Sequence, residues 1–311
     1  MHDCEPGNRV ACNETMMTVA LVVVCSLTLS LGAAVGVNVQ KLSMNREETG
    51  RKPFMQPLWL MGMAVIVVDA IGDFVFIGLA PQSMLAPLGS LSLGWNVVLA
   101  PIFHRNEKVT KTTVIATAVI YVGTIISILY AATSTPSYNL ERIKELAGNP
   151  YFINYLMFTL AAQGTLILHG NRKGYSMLHY TALAGSLGGE TLIFAKSSSE
   201  LVKNAIMKGE FDELRNIIPI MAIIMTIVTA LTQLHVLNTG LAKFEALVVV
   251  PVYQTFYNAF AITGGLIFFQ EYRAMSKKDT TMYSIGLMIT LVGVNMLVQQ
   301  RRKSVLPSHV E

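Results

Sequence analysis

Nine apolar stretches dominate this chain, each close to the roughly 20 residues that a helix needs to cross a bilayer. They cover about 16–39, 58–79, 83–103, 112–132, 150–168, 177–197, 217–237, 246–269 and 281–298. Hydrocarbon offers no water to pair backbone amides and carbonyls, so only helices and closed barrels can span it. Continuous apolar runs, rather than short alternating segments, select helices. Nine spans with short connections use most of the 311 residues and leave no room for a separate soluble domain. Charge agrees: 14% of the residues are charged, against about 25% in an ordinary soluble domain. The sequence therefore predicts an all-α polytopic membrane protein, with residues 1–311 as one transmembrane domain.

Lys and Arg in the short loops set the orientation. Loop 40–57 carries Lys41, Arg46, Arg51 and Lys52, loop 80–82 carries none, and loop 104–111 carries Arg105, Lys108 and Lys111. This places the N-terminus outside and, after nine crossings, the C-terminus with Arg301, Arg302 and Lys303 in the cytoplasm. Lys203, Lys208, Arg215, Arg273, Lys277 and Lys278 then fall outside, against the trend set by the early loops. The first span is read as a retained helix, because Asp3, Glu5 and Glu14 give its leading segment the wrong charge for a signal peptide. Asn13-Glu14-Thr15 is a glycosylation acceptor on the outer side. Cys4 and Cys12 could pair there, while Cys25 is read as helix surface. The net charge of +4 is loop charge and does not point to nucleic acid. Plasma membrane and endomembrane both fit.

Two stretches resemble each other. In one, Leu79-Ala80 leads to Pro87 and, twenty residues on, Glu107; in the other, Leu241-Ala242 leads to Pro251 and, again twenty on, Glu271. A span with Gly123 follows the first, and a span with Gly286 and Gly293 follows the second. The third and eighth spans run in opposite directions, which is the mark of an inverted repeat with its site near the midplane. The halves are 1–132, with four helices, and 150–298, with five. Both glutamates are read as linking helices at the surface.

The quoted stretches also resemble a known family. "LAPQSMLAPLGSLSLGWNVVLAPIFHRNEKV" is similar to a segment of FAPA, PLGALSV and a helix ending in Glu. "QLHVLNTGLAKFEALVVVPVYQTFYNAF" resembles a second signature through Gln233, Asn238, Leu241, Phe244, Pro251 and Tyr253. "YTALAGSLGGETLIFAK", ending in Lys196, and the Gln40-Lys41 closure of the first span match as well. The family is NIPA, the magnesium transporter branch of the drug/metabolite transporter superfamily. The resemblance implies nine spans, an inverted repeat lacking one helix, and transport of divalent cations, Mg²⁺ foremost. It also exposes departures. Where the family has Gly-Glu, two residues, then Asn-Phe on its second helix, this chain has Asp69-Ala70 and Asp73-Phe74, and the Asn of the family's Gln-x-Asn is His235.

Asp69 and Asp73 stand in the run "VVDAIGDFVF". Each centred aspartate costs about 2.5–3.5 kcal/mol on insertion scales, so a function or a partner has to justify both. Four residues apart on a helix, they share a face one turn from each other. Two stacked oxygen donors suit a hard cation, and Mg²⁺ is held through one or two carboxylates and retained water. The competing reading is a structural ion pair with Lys196 or Lys243 as snorkelling partner. Glu190, near the middle of the sixth span, is a further candidate for the pathway. Asp73 and His235 each lie six residues before the repeated Leu-Ala, which sets them at comparable depth in facing halves. Gln233 and Asn238 add amide oxygens there.

No Walker loop, Cys/His metal cluster or catalytic triad is present, and His2, His104, His169, His179 and His309 are scattered along the chain. The reading is a non-enzymatic Mg²⁺ transporter with no cofactor, acting by alternating access or channel-like conduction and leaving a homodimer open. Its alternative is an organic-solute carrier of the same superfamily, which would use Lys196 and Lys243 for anionic groups. A non-transporting scaffold would need longer loops than these.

Overall fold

The computed structural model describes residues 9–46, 51–77, 83–84, 91–103, 109–131, 138–209, 211–244 and 246–305. Among them the fold is all-helical, without strands. In chain order come α1 (Arg9–Arg46), α2 (Pro57–Ile77), α3 (Leu91–Phe103), α4 (Lys111–Leu129) and the short α5 (Leu140–Ala147). They are followed by α6 (Pro150–Lys173), α7 (Met177–Lys208), α8 (Ile217–Lys243), α9 (Ala246–Phe269) and α10 (Lys277–Val305). Four helices of the described part, α2, α4, α6 and α8, are long and apolar enough to cross a membrane, and the chain is an integral membrane protein.

Polar residues mark where the helices begin. Thr110, Asn139, Asn149 and Asn216 each accept a backbone amide of the following turn, as capping residues do. Two differences from the sequence reading concern helix ends. First, α1 begins at Arg9 and runs to Arg46, beyond the expected 16–39. Cys12 and the Asn13-Glu14-Thr15 acceptor therefore lie within a helix; Cys4 falls outside the described residues. Second, α7 continues past the expected end at 197 to Lys208, because Ser197, Ser198, Ser199 and Glu200 are all buried rather than at a membrane surface. A third difference is α5, which occupies part of a segment read as a loop; Ile143 and Leu146 form its buried stripe.

The central element is α7, buried along most of its length. It packs on α8 along one side and on α9 along another, with α6 and α2 completing its surroundings. α1 packs chiefly on α2 and then on α3, while α4 and α10 form the other extensive pair. Lipid is as apolar as the side chains it would replace, so packing of small residues holds such pairs together. At the α4–α10 crossing a Cβ on Gly123 would lie 2.5 Å from the Thr290 nitrogen, and one on Gly286 would lie 2.7 Å from the Ser127 nitrogen. The contact is reciprocal: Ser127 and Thr290, each four residues beyond its glycine, donate their hydroxyls back to the Gly123 and Gly286 carbonyls.

This crossing predicts an asymmetry between two Gly→Ala changes. Gly123→Ala meets backbone and should lower stability by about 1–3 kcal/mol, the usual cost of overpacking. Gly164→Ala on α6 meets nothing within 4 Å and should hold or raise stability by about 1 kcal/mol through helix propensity. Thermal unfolding midpoints in one detergent would check both.

Candidate functional site

The inward face of α2 carries Gly62, Ile66, Asp69 and Ile77, which turn toward α1 and the bundle. Asp69 is 7% exposed and faces Gly32 of α1, where a Cβ would stand 3.1 Å from Asp69 Oδ1. The Ala33 backbone amide lies within hydrogen-bonding reach of the carboxylate, yet Oδ1 has no partner among the described residues. Four residues on, Asp73 is turned only about 40° from Asp69 but is exposed. Its carboxylate is therefore exposed on the side of α2 that carries Asp69, turned away from the side where Val67, Val68 and Ile71 point.

Other elements converge on that side. The carbonyl of Phe74, next to Asp73, accepts the Ser199 hydroxyl of α7 at 2.7 Å. Tyr257 of α9 is within electrostatic reach of Asp73. A Cβ on Gly188 of α7 would lie 2.6 Å from the Tyr257 ring and 2.9 Å from Gln233 Oε1. Gln233 of α8 donates through Nε2 to the Tyr253 hydroxyl at 2.7 Å, and its Oε1 stands 3.3 Å from the Thr191 hydroxyl. Tyr257 thus links Asp73 on one side to Gln233 on the other, with Gly188 giving room for its ring and for the Gln233 amide. Tyr257 was not among the sequence candidates; one turn beyond Tyr253, it extends the aromatic edge of the second signature.

The remaining candidates are placed elsewhere. Glu190 is buried on α7 about 200° around from Gly188, where Gln163 Nε2 of α6 donates to its Oε1 at 3.0 Å. His235 is exposed and lies about 200° around α8 from Gln233, in line with exposed Ile224, Val228 and Leu231. Asn238 is buried, with Oδ1 lacking a partner among the described residues. No group of three or more His, Cys, Asp or Glu side chains stands close enough to hold a bare metal ion among the described residues.

Three expectations about charged and histidine side chains are corrected. Lys196 is not a partner of the aspartates. It is 0% exposed, 2.7 Å from Glu271 Oε1, and flanked by the Phe269 ring at 4.6 Å. Glu271 is accordingly buried, not at the surface, because a buried ammonium needs a compensating charge; Glu107, its counterpart in the repeat, lies outside the described residues. Lys243 donates to the Tyr180 hydroxyl at 2.6 Å, so it too is engaged away from α2. The scattered histidines are not all isolated: α6 and α7 turn back on each other and bring His169 Nδ1 to 2.8 Å from His179 Nε2.

The chain is similar to known proteins along most of its length. The family model described as "Magnesium transporter NIPA" matches residues 14–303. An Arabidopsis thaliana protein named "Probable magnesium transporter NIPA8" is 27% identical over 84% of this chain, and the chain spans 65% of that relative's length. The Homo sapiens "NIPA-like protein 2" is 25% identical, covering 88% of this chain and 72% of the relative. A Candida albicans "Probable magnesium transporter" is 23% identical over 92% and 79%. No solved structure matches.

The Lys196–Glu271 geometry yields a stability prediction. Lys196→Met alone leaves a buried carboxylate uncompensated and should cost on the order of 3–5 kcal/mol. Adding Glu271→Gln removes the orphan charge and should recover most of that loss. Unfolding midpoints of the single and double variants in detergent would measure the difference.

Proposed function

The chain belongs to the NIPA magnesium transporter family, and from that premise we propose that it carries Mg²⁺ across a lipid bilayer through the space bordered by Asp73. The observation that carries this reading is an exposed carboxylate on the inward face of a membrane helix. Mg²⁺ dehydrates reluctantly, so a site for moving it offers one or two carboxylates and leaves several waters in place. In this reading Asp73 contacts the hydrated ion directly or through water. Asp69, one turn away, adds a second negative charge that raises the local cation concentration. The Gln233 amide and the Tyr257 hydroxyl then hydrogen-bond the retained waters.

The architecture proposed for this transport is nine crossings in two inverted halves, 1–132 and 150–298, with the N-terminus outside. Packing supports the pairing of α1, α2, α3 and α4 with α7, α8, α9 and α10. α1 lies on α2 and α3 as α7 lies on α8 and α9, and α2 touches α7 as α8 touches α1. The pairs α4–α10 and α3–α9, which a two-fold axis maps onto themselves, are also in contact. α6 is the helix without a counterpart. The alternative of an organic-solute carrier of the same superfamily, for metabolites or nucleotide-sugars, is not favoured, since Lys196 and Lys243, its candidate ligands for anionic groups, are already engaged by Glu271 and Tyr180.

Uptake into proteoliposomes loaded with a Mg²⁺-sensitive dye tests the proposal, with Mn²⁺, Ca²⁺ and a panel of metabolites as competitors. Wild-type vesicles should accumulate Mg²⁺, and Asp73→Asn should reduce the rate by roughly tenfold or more, the loss of one charge-assisted contact. His235→Ala, altered on the other side of α8, should stay within about twofold. Equal rates for Asp73→Asn and wild type would remove Asp73 from the path, and uptake of an organic solute in place of Mg²⁺ would overturn the cargo.

A further inference from the structure

We propose that Glu271 is a gating residue whose two carboxylate oxygens latch one end of the bundle shut, and that this latch opens for the cation to pass. The proposal rests on the transport reading above and adds to it the moving part. Oε1 holds the Lys196 ammonium of α7 at 2.7 Å, and Oε2 accepts the Ser83 backbone amide at 2.8 Å. The Ser83 carbonyl in turn accepts the Tyr283 hydroxyl of α10 at 3.0 Å. Both backbone polar groups of Ser83, in the first half of the chain, are therefore gripped by side chains of the second half. Lys196 is one helical turn from Ser199, which bonds the carbonyl next to Asp73. The latch consequently stands about one turn from the space that Asp73 borders. Met84, Leu192, Ile262 and Tyr283 pack around it into a continuous apolar plug.

Two features separate a latch from a permanent brace. Glu271 lies not within a long helix but in the short 3₁₀ turn Glu271–Ala274 between α9 and α10. The residue before it, Gln270, has φ 54°, the sole non-glycine residue with positive φ among those described. Its Oε1 is buried without a partner among the described residues. A left-handed glutamine with an unsatisfied amide stores backbone and solvation energy, held in place while Glu271 stays engaged. Release of Ser83 and Lys196 lets this junction relax, so the closed arrangement is poised rather than locked.

A covalent lock tests the latch. In a chain with Cys4, Cys12 and Cys25 changed to Ser, Ser83→Cys and Glu271→Cys are combined with Lys196→Met, which removes the ammonium that would otherwise be stranded. Oxidation to the disulfide, verified by mass, should cut Mg²⁺ uptake by roughly tenfold or more, and reductant should restore it. Undiminished uptake with the disulfide formed overturns the proposal. A second measurement needs no cysteine. Hydrogen exchange at the Ser83 amide of the wild-type protein should quicken several-fold when Mg²⁺ is added, while the Thr290 amide at the α4–α10 crossing stays unchanged. Equal exchange at Ser83 with and without Mg²⁺ overturns the latch even where the reduced triple variant is inactive. Failure of wild-type vesicles to take up Mg²⁺ would instead defeat the transport reading, a result distinct from either.

Discussion

Hydrocarbon cannot solvate a polar atom, so every polar side chain inside this bundle has to be satisfied by another part of the protein. Most are. Buried hydroxyls return to the carbonyl one turn back, as with Thr117 on Thr113, Ser197 on Ile193 and Thr290 on Gly286. The Glu190 carboxylate is met by Gln163, and the Lys196 ammonium by Glu271. Against this background, buried acceptors without a hydrogen-bond partner among the described residues include Asp69 Oδ1 on α2, Asn238 Oδ1 on α8 and Gln270 Oε1 at the end of α9, along with Gln40 Oε1 and Thr124 Oγ1 elsewhere. Asp69 and Asn238 belong to the elements around the proposed path and Gln270 to the proposed latch. Unpaired polarity in such a medium is retained where something else, a hydrated ion or an alternative conformation, can at times satisfy it.

The same medium governs how the helices meet. With no hydrophobic gain from association, contact area depends on how near two backbones can come. Gly123 and Gly286 bring α4 and α10 together, and Gly185 and Gly189 do so for α7 and α9. A rocking motion of two halves needs a contact that persists and others that come apart. The interlocked glycines of α4–α10, with backbone against backbone, have the character of the persistent contact. The contacts through Ser83, by contrast, are a few hydrogen bonds and one ion pair.

Sequence periodicity was enough for the helical class and for the spans that α2, α4, α6 and α8 form, because a run of about 20 apolar residues has few other solutions. It was poorer at helix ends, where burial by other helices lets polar residues such as Ser197–Glu200 remain helical. The twenty-residue spacing from Pro251 to Glu271 marked the right residue but not its environment, since its partner Lys196 lies 75 residues away in the chain. Repeat register likewise carries no information on azimuth. His235 can share a depth with Asp73 and still face the other way, because a two-residue step from Gln233 turns about 200° around a helix. The convergence of Tyr257, Gly188 and Gln233 comes from three helices at once and has no local sequence signal.

Azimuth also explains the departure of the aspartate pair from the family's pattern. By the resemblance described above, the position that corresponds to the family's glutamate is Ala70 here, which is exposed. Moving the acid back by one residue turns it about 100°, from that exposed face into the seam between α2 and α1. Gly32 makes the shift tolerable, since a Cβ there would press on the Asp69 carboxylate at 3.1 Å. The exchange of the family's asparagine for Asp73 then puts a full negative charge at an exposed position. On the proposed reading, the acid drawn into the helix contact acts through its field, and the other meets the hydrated cation.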